Sequence, residues 1–353
     1  MFAHVCKVER RAPTLGRRLI GLLHFVAVAA FGVPAAAQVV PGATGSLVVL
    51  ADDLVTPTTV ALQNNVAFVP EGQFARLGFR GGLFQARAID VNGAGVLADK
   101  GLRRQLPGND FFPEGVAADA VTGDLFVGSI FQGTLIKFPA GSNVRQQFVG
   151  KAPNAALQRG ALGLRVDNAR NLLWVCDSNL GADPARPGGT VVGLNLANAA
   201  PVVRHELPAN SLCNDIILDA AGNLLVTETL VGQVFRIDAA NALVTDSAQL
   251  FLATPEIAPP AAGQLGANGL AIAGGVLFVA NTFAGTLVRF DLNAADVAAT
   301  ATNVVISEGN VANVVLSGPD GVLPISDTEL LVVENGFAGA GLNRVVKVTL
   351  DPQ

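Results

Sequence analysis

The chain is written in short apolar runs closed by Gly, Asn or Asp, and the runs recur in one order. The most apolar set comprises LFVGS, LLWVCDS, LLVTET, LFVANT and LLVVEN, each ending on a polar residue. A milder run precedes each of these and closes in a turn such as AADAVTGD, VDNARN or LDAAGN. Gly-containing loops lead on to a third run: GTLIKF, GTVVGLNL, GQVFRID, GTLVRFDL and NRVVKVTL. A fourth is more variable and reads as an edge: VRQQFVG, VVRHELP, AQLFLA and NVVIS. Val, Leu, Ile and Phe bounded by turn formers are strand grammar. No stretch carries a helical period.

The order repeats six times. The first runs open as TPTTVAL, FPEGVAAD, ALGLRVD, LCNDIILD, GANGLAI and GPDGVLP, with Thr58, Glu114, Leu162, Asn214, Asn268 and Asp320 in register. Their separations are 56, 48, 52, 54 and 52 residues, the spacing of an array of small β-units. Six four-stranded antiparallel sheets around an axis make an all-β, six-bladed β-propeller. The segment from Ser46 to Asp52 precedes the first repeat, and the last repeat ends at Leu350 without a fourth strand. Pairing the two is expected to complete the sixth blade, close the ring and hide an open edge.

In a propeller the first strand of each blade lines the axis, so residues in register converge at one mouth. Asn-Gly and Asp-Gly are also ordinary turn formers, and singly Asn268 or Asp320 reads more simply as a turn residue. Jointly, Glu114, Asn214, Asn268 and Asp320 would face one another as two carboxylates and two amides. That hard-oxygen set suits Ca²⁺ first, with Mg²⁺, Mn²⁺ or Zn²⁺ as alternatives, whereas a structural zinc site wants thiolate or imidazole. The second runs end in Ser129, Asp177, Glu228, Asn281 and Glu334, with Glu71 a looser counterpart. These would either orient the ligands of a cation or sit as solvated loop residues. Gly115, Gly163, Gly269 and Gly321 read as residues that let the chain turn into the inner strand. Asp119, Asp167 and Asp219 read as turn residues bonding their own backbone, and Trp174 as blade packing.

Residues 1–37 read as a signal peptide. Lys7, Arg10, Arg11, Arg17 and Arg18 precede an apolar run from Leu19 to Val33, and Ala35-Ala36-Ala37 offers a small-residue cleavage site. The expectation is export to the periplasm or medium, through the general or the twin-arginine route. The propeller would occupy 38–353, with no membrane span in the mature chain. The whole chain already carries a formal −5, and losing those basic residues makes it more acidic, which disfavours nucleic acid and favours cations. Cys176 and Cys213 can pair in an oxidising compartment or stay two small buried thiols.

PEG at Glu114, CND at Asn214, ANGL at Asn268 and PDGV at Asp320 resemble the senescence-marker-protein/gluconolactonase (regucalcin-like) family of six-bladed propellers. The order Glu, Asn, Asn, Asp, with one ligand-free blade after the first, is similar too. The likeness spans the chain beyond the leader, through motifs of only two or three residues. It implies one divalent metal at the axis, held by Glu114, Asn214, Asn268 and Asp320, and hydrolysis of a small lactone or ester. By the same resemblance, Asp320 would also be the catalytic residue that activates water or attacks directly. Two departures stand out. Sugar-lactone members carry an arginine two residues before the first metal-binding asparagine, where this chain has Leu212. The histidine pair of the related paraoxonases has no counterpart, since His205 is the one histidine beyond the leader. The alternatives are a non-catalytic, metal-stabilised propeller that binds a ligand or a protein, and a strictosidine-synthase-like enzyme sharing FPEG and NGL.

Overall fold

In the computed structural model, the residues described are 43–72, 85–93, 95–96, 104–108, 110–178, 188–336 and 341–352. The expected leader, 1–37, lies outside them. Among the described residues no helix is long and apolar enough to cross a membrane.

The molecule is a six-bladed β-propeller. Blade 1 pairs β2 (Ala61–Gln63), β3 (Val66–Glu71) and β4 (Gln85–Asp90), with an outer edge split between β5 (Gly95–Val96) and β6 (Arg104–Gln105). Blade 2 runs β7 (Pro113–Ala118), β8 (Leu125–Ser129), β9 (Leu135–Phe138) and β10 (Gln146–Val149). Blade 3 runs β11 (Gly160–Asp167), β12 (Leu172–Ser178), β13 (Thr190–Asn195) and β14 (Pro201–Glu206). Blade 4 is β15 (Cys213–Leu218), β16 (Leu224–Glu228), β17 (Gln233–Ile237) and β18 (Gln249–Leu252). Blade 5 is β19 (Ala267–Ala273), β20 (Val276–Asn281), β21 (Thr286–Asp291) and β22 (Thr302–Asn303). Blade 6 is β24 (Pro319–Pro324), β25 (Glu329–Asn335) and β26 (Asn343–Leu350), completed by the N-terminal strand β1 (Thr44–Ala51).

The closing strand behaves as its sequence suggests, pairing antiparallel with β26. The segment NVVIS departs from its expected place as the fourth strand of blade 5. Asn303 stays there, in β22, and Val304 still donates its N–H to the Leu287 carbonyl of β21 (2.8 Å); the remainder runs into β23 (Val305–Glu308), which crosses to blade 6 and pairs with β1 in parallel. Among the described residues that is the one parallel pairing; the other ladders are antiparallel.

Each blade is apolar on both faces, so the core is six wedges, one per blade-to-blade interface. Leu172, Trp174 and Val191 of blade 3 pack on Ile216, Val226 and Phe235 of blade 4. Phe278 and Leu287 of blade 5 meet Val332 and Val346 of blade 6, and the remaining interfaces repeat the pattern. Cys176 and Cys213 are joined in a disulfide that ties blade 3 to blade 4 beside the axis. Asp119 and Asp219 accept backbone N–H groups of their own turns, and Trp174 is buried with its indole N–H on Asp167.

Candidate metal centre and active site

The inner strands are not regular. In blades 2 to 6 the ladder slips where the register residue falls, so two residues of the inner strand oppose one of its neighbour. The bulged pairs are Glu114–Gly115, Leu162–Gly163, Asn214–Asp215, Asn268–Gly269 and Asp320–Gly321. A β-bulge re-aims side chains and is common beside active sites. Here it is repeated around the axis and brings at least one member of each pair to one point.

Gly115, Gly163, Gly269 and Gly321 serve a need other than the turn expected of them. None adopts a positive φ. What they lack is room. A Cβ on Gly115 would fall 2.0 Å from the Leu162 carbonyl oxygen, one on Gly269 2.0 Å from that of Asp320, and one on Gly163 2.3 Å from that of Asn214. Each blade's bulge thus rests backbone on backbone against the next. Blade 4 breaks the series with Asp215.

A small cavity with room for about one water-sized or ion-sized guest lies at the centre. It is lined by Glu114, Asn214, Asn268 and Asp320, together with Thr59, Asp215 and three of the glycines. All four residues expected from the sequence therefore meet. In blade 1 it is Thr59 that reaches the cavity; the hydroxyl of Thr58 donates to the Glu114 carbonyl at 2.7 Å. Leu162 turns into the core.

The four are buried and oriented. The Asn268 amide donates to the Thr282 hydroxyl (2.9 Å), which donates in turn to the Pro319 carbonyl (3.0 Å). That leaves the Asn268 amide oxygen buried and without a partner, and Glu114 Oε2 is in the same condition. Asp320 receives an amide hydrogen bond from Asn335 at 2.9 Å and a second from Asn268. Asp215, absent from the expected set, fixes its carboxylate on the backbone N–H of Leu270 (2.9 Å) and of its own neighbour Ile216 (2.8 Å). The tripeptide CND displayed it, but an acid after a candidate asparagine reads as part of a turn.

Three carboxyls around one small cavity repel one another. Burial, with Asp215 adding to it against the pull of Asn335 and Asn268, pushes Asp320 up to about 8. Burial also lifts Asp215 to about 6, opposed by its two backbone bonds and by Arg165. Glu114 is raised well above the usual carboxylate range, first by burial and then by Asp320 and Asp215. The arrangement is acceptor-rich, and buried acceptors left without donors cost free energy. A divalent cation is one group whose chemistry would satisfy them together. The amides are essential to that set, since among the described residues no three His, Cys, Asp or Glu side chains could hold a metal alone.

The second column of polar residues does something else. Asp177 accepts the N–H groups of Gln158 and Arg159 at 2.9 and 2.6 Å. Glu228 accepts those of Leu212, Leu230 and Val231 at 2.9 to 3.0 Å. Glu334 holds Ser317 and pairs with Arg344, and Glu71 holds Val55 and pairs with Arg87. The Ser129 hydroxyl donates to the Phe111 carbonyl, and the Asn281 amide to the carbonyls of Glu256 and Ala258. All six are buried. They are not solvated loop residues. They latch the chain entering each blade onto its second strand, in most blades two or three residues before the bulge.

No sequence-family profile matches the chain, and no curated protein sequence aligns with it significantly. Similar solved structures are numerous. A gluconolactonase from Xanthomonas campestris is 13% identical, with 87% of this chain and 90% of that one covered at a TM-score of 0.57. Virginiamycin B lyase from Staphylococcus aureus is 11% identical over 88% of this chain and all of that one, at 0.53. The PQQ-bound aldose sugar dehydrogenase from Streptomyces coelicolor is 13% identical over 88% and 100%, at 0.53. At such identities the likeness establishes the ring and no particular chemistry on it, because this fold hosts many reactions.

Proposed function

We propose that this chain is an exported, metal-dependent hydrolase of a small lactone or ester, with Ca²⁺ held at the propeller axis by Glu114, Asn214, Asn268 and Asp320. The observation that carries the reading is the pair of buried, unpartnered acceptors, Glu114 Oε2 and Asn268 Oδ1, beside Asp320 in a cavity the size of an ion. A gluconolactonase among the structural neighbours is consistent with it. When bound, the cation would polarise a substrate carbonyl and stabilise negative charge on its oxygen.

The chain's own residues do the rest. Asn335 and Asn268 fix the Asp320 carboxyl by hydrogen bonds. Asp320 takes the proton from a water as its oxygen bonds to the carbonyl carbon. The proton then passes to the departing alkoxide oxygen as the C–O bond breaks. A lactone yields one hydroxy acid; an open ester yields an acid and an alcohol. The interblade contacts of Gly115, Gly163 and Gly269 hold the mouth to a fixed width.

The test is turnover of lactone and aryl-ester panels by residues 38–353 with Ca²⁺, Mn²⁺ or chelator. Hydrolysis should require the metal, and Asp320→Asn should lower kcat by roughly 10² to 10⁴ while the fold is kept. No turnover with any substrate, alongside a melting temperature that still rises with Ca²⁺, would leave a metal-stabilised binding propeller in its place.

A further inference from the structure

The residue after each latch forms a column of its own, with Ile130, Ser178, Thr229, Thr282 and Asn335 in blades 2 to 6. In four of these blades one bond sets its backbone. The N–H groups of Ile130, Thr229, Thr282 and Asn335 donate to the carbonyls of Phe112, Leu212, Gly266 and Gly318 at 3.0 to 3.1 Å. Those carbonyls lie two residues before Glu114, Asn214, Asn268 and Asp320 respectively. The column therefore stands in one fixed relation to the cavity residue of each blade.

In blades 5 and 6 that relation is a hydrogen bond. Asn335 donates its amide to Asp320 at 2.9 Å, and Thr282 accepts one from Asn268 at 2.9 Å. The second bond has a single possible direction. A hydroxyl carries one proton, and that of Thr282 goes to the Pro319 carbonyl at 3.0 Å, which can only accept. Thr282 is left to accept from Asn268, so the amide NH₂ faces the hydroxyl and the amide oxygen stays buried without a partner. In blade 2 the column residue is apolar, Ile130, and Glu114 Oε2 has no partner. Blade 4 repeats the pair of blade 5 residue for residue, Asn214 with Thr229. Yet the Thr229 hydroxyl is fully buried and unpartnered. A buried hydroxyl left unbonded is costly, and the register puts the Asn214 amide in place to relieve it.

We infer that Thr282 and Thr229 are positioning residues for the cation site, each taking the NH₂ of an asparagine so that its amide presents oxygen to the ion. Asn268 is set in advance; Asn214 turns its NH₂ to Thr229 when an ion draws in its oxygen. Without the hydroxyl, a half-turn of the amide brings donors where a cation needs acceptors. The inference rests on the cation of the proposed function and not on its hydrolysis.

Calorimetric titration of the metal-stripped protein with Ca²⁺ and with Mn²⁺ tests it. Residues that orient metal ligands are worth about 10- to 100-fold in affinity. Thr282→Val and Thr229→Val keep the side-chain shape and lose the hydroxyl, and each should weaken binding about tenfold or more. Thr282→Ser should restore most of the loss. Ser178→Ala changes the same column in the blade whose register residue is Leu162, and should leave the affinity as it is. Melting of the metal-free variants separates a role in the fold from a role at the ion. A lowered melting temperature with unchanged affinity in both valine variants, or an equal loss of affinity in Ser178→Ala, overturns the inference. A loss in Thr282→Val alone overturns it for Thr229. A parent that binds neither ion overturns it together with the metal reading. Binding that depends on both threonines, in a protein that turns over no ester or lactone, upholds it while the hydrolase reading fails.

Discussion

His205 shows how completely a titratable side chain can be given over to packing. It sits in β14, fully buried, with its ring 6.0 Å from that of Trp174. Nε2 lies 3.0 Å from the Ala242 carbonyl oxygen, so that nitrogen must carry the proton and donate. Nδ1 is left as an acceptor facing the N–H of Ser247 at 3.3 Å. A second proton would face that N–H donor, leaving the Ser247 hydroxyl oxygen, also 3.3 Å away, as the acceptor beside it. Burial lowers the pKa below the usual 6.5, against weaker upward pulls from the Ala242 carbonyl and from Asp246. With the folded-state pKa depressed, the contribution to stability is complete above about 6.5 and is lost as pH falls through the folded value. Unfolding free energy measured in urea should therefore drop more steeply below pH 6.5 in the natural chain than in His205→Gln. Identical pH profiles would show that the imidazole does not titrate against the fold.

At the scale of the element, the latches explain why the mouth holds its shape. Glu228 spends its carboxylate on three backbone N–H groups, so it fixes both the entry of blade 4 and the hairpin that follows β16. Glu228→Gln keeps the size, but turns an amide NH₂ toward donors and removes charge-assisted bonds worth roughly 1.5 to 3 kcal/mol each when made to a charged group. A loss of about 2 to 4 kcal/mol in global stability is expected on that basis. A variant within 0.5 kcal/mol of the parent would mean that water replaces the carboxylate at no cost. The latches also mark where sequence reading stopped short. The strands were legible because their apolar runs have to be, and the meeting of Glu114, Asn214, Asn268 and Asp320 at one cavity because their spacing repeats. A Glu or Asp closing an apolar run looks alike whether it meets solvent, a cation or an N–H of the incoming chain. Only the position of that neighbouring backbone separates the three. Asp215 was hidden for the same reason, standing where the other bulges carry glycine, and its role follows from Leu270 on the next blade. NVVIS had the pattern of an outer strand; which blade it joined depended on β1, some 260 residues away.

For the whole molecule the decisive element is that first strand, because a ring of six wedges is only as cooperative as its seam. β1 does more than add a fourth strand. Leu47 and Val49 point into the interface between blades 5 and 6. The ladder with β26 then slips between Val49 and Ala51, and the extra residue turns Leu50 and Ala51 into the interface between blades 6 and 1. One strand thus contributes to two wedges by means of one bulge. It is held on both sides, by β26 and by β23, and its start is tied by the bonds from Val305 N–H to the Ala43 carbonyl (2.8 Å) and from Asp351 N–H to that of Thr44 (3.0 Å). If the seam carries the ring, Leu47→Ala and Leu50→Ala should each cost about 2 to 5 kcal/mol, the range for a buried leucine in a continuous core. Removing residues up to Ala51 should split a single unfolding transition into several, since blades 1 and 6 would then share a reduced interface and β26 an open edge. The comparison that decides is Leu47→Ala against Leu331→Ala, a buried leucine in the second strand of the same blade. Equal losses make the first strand an integral part of the core. A loss confined to Leu331→Ala would mean that the strand frays away and the ring is held closed by the other five interfaces.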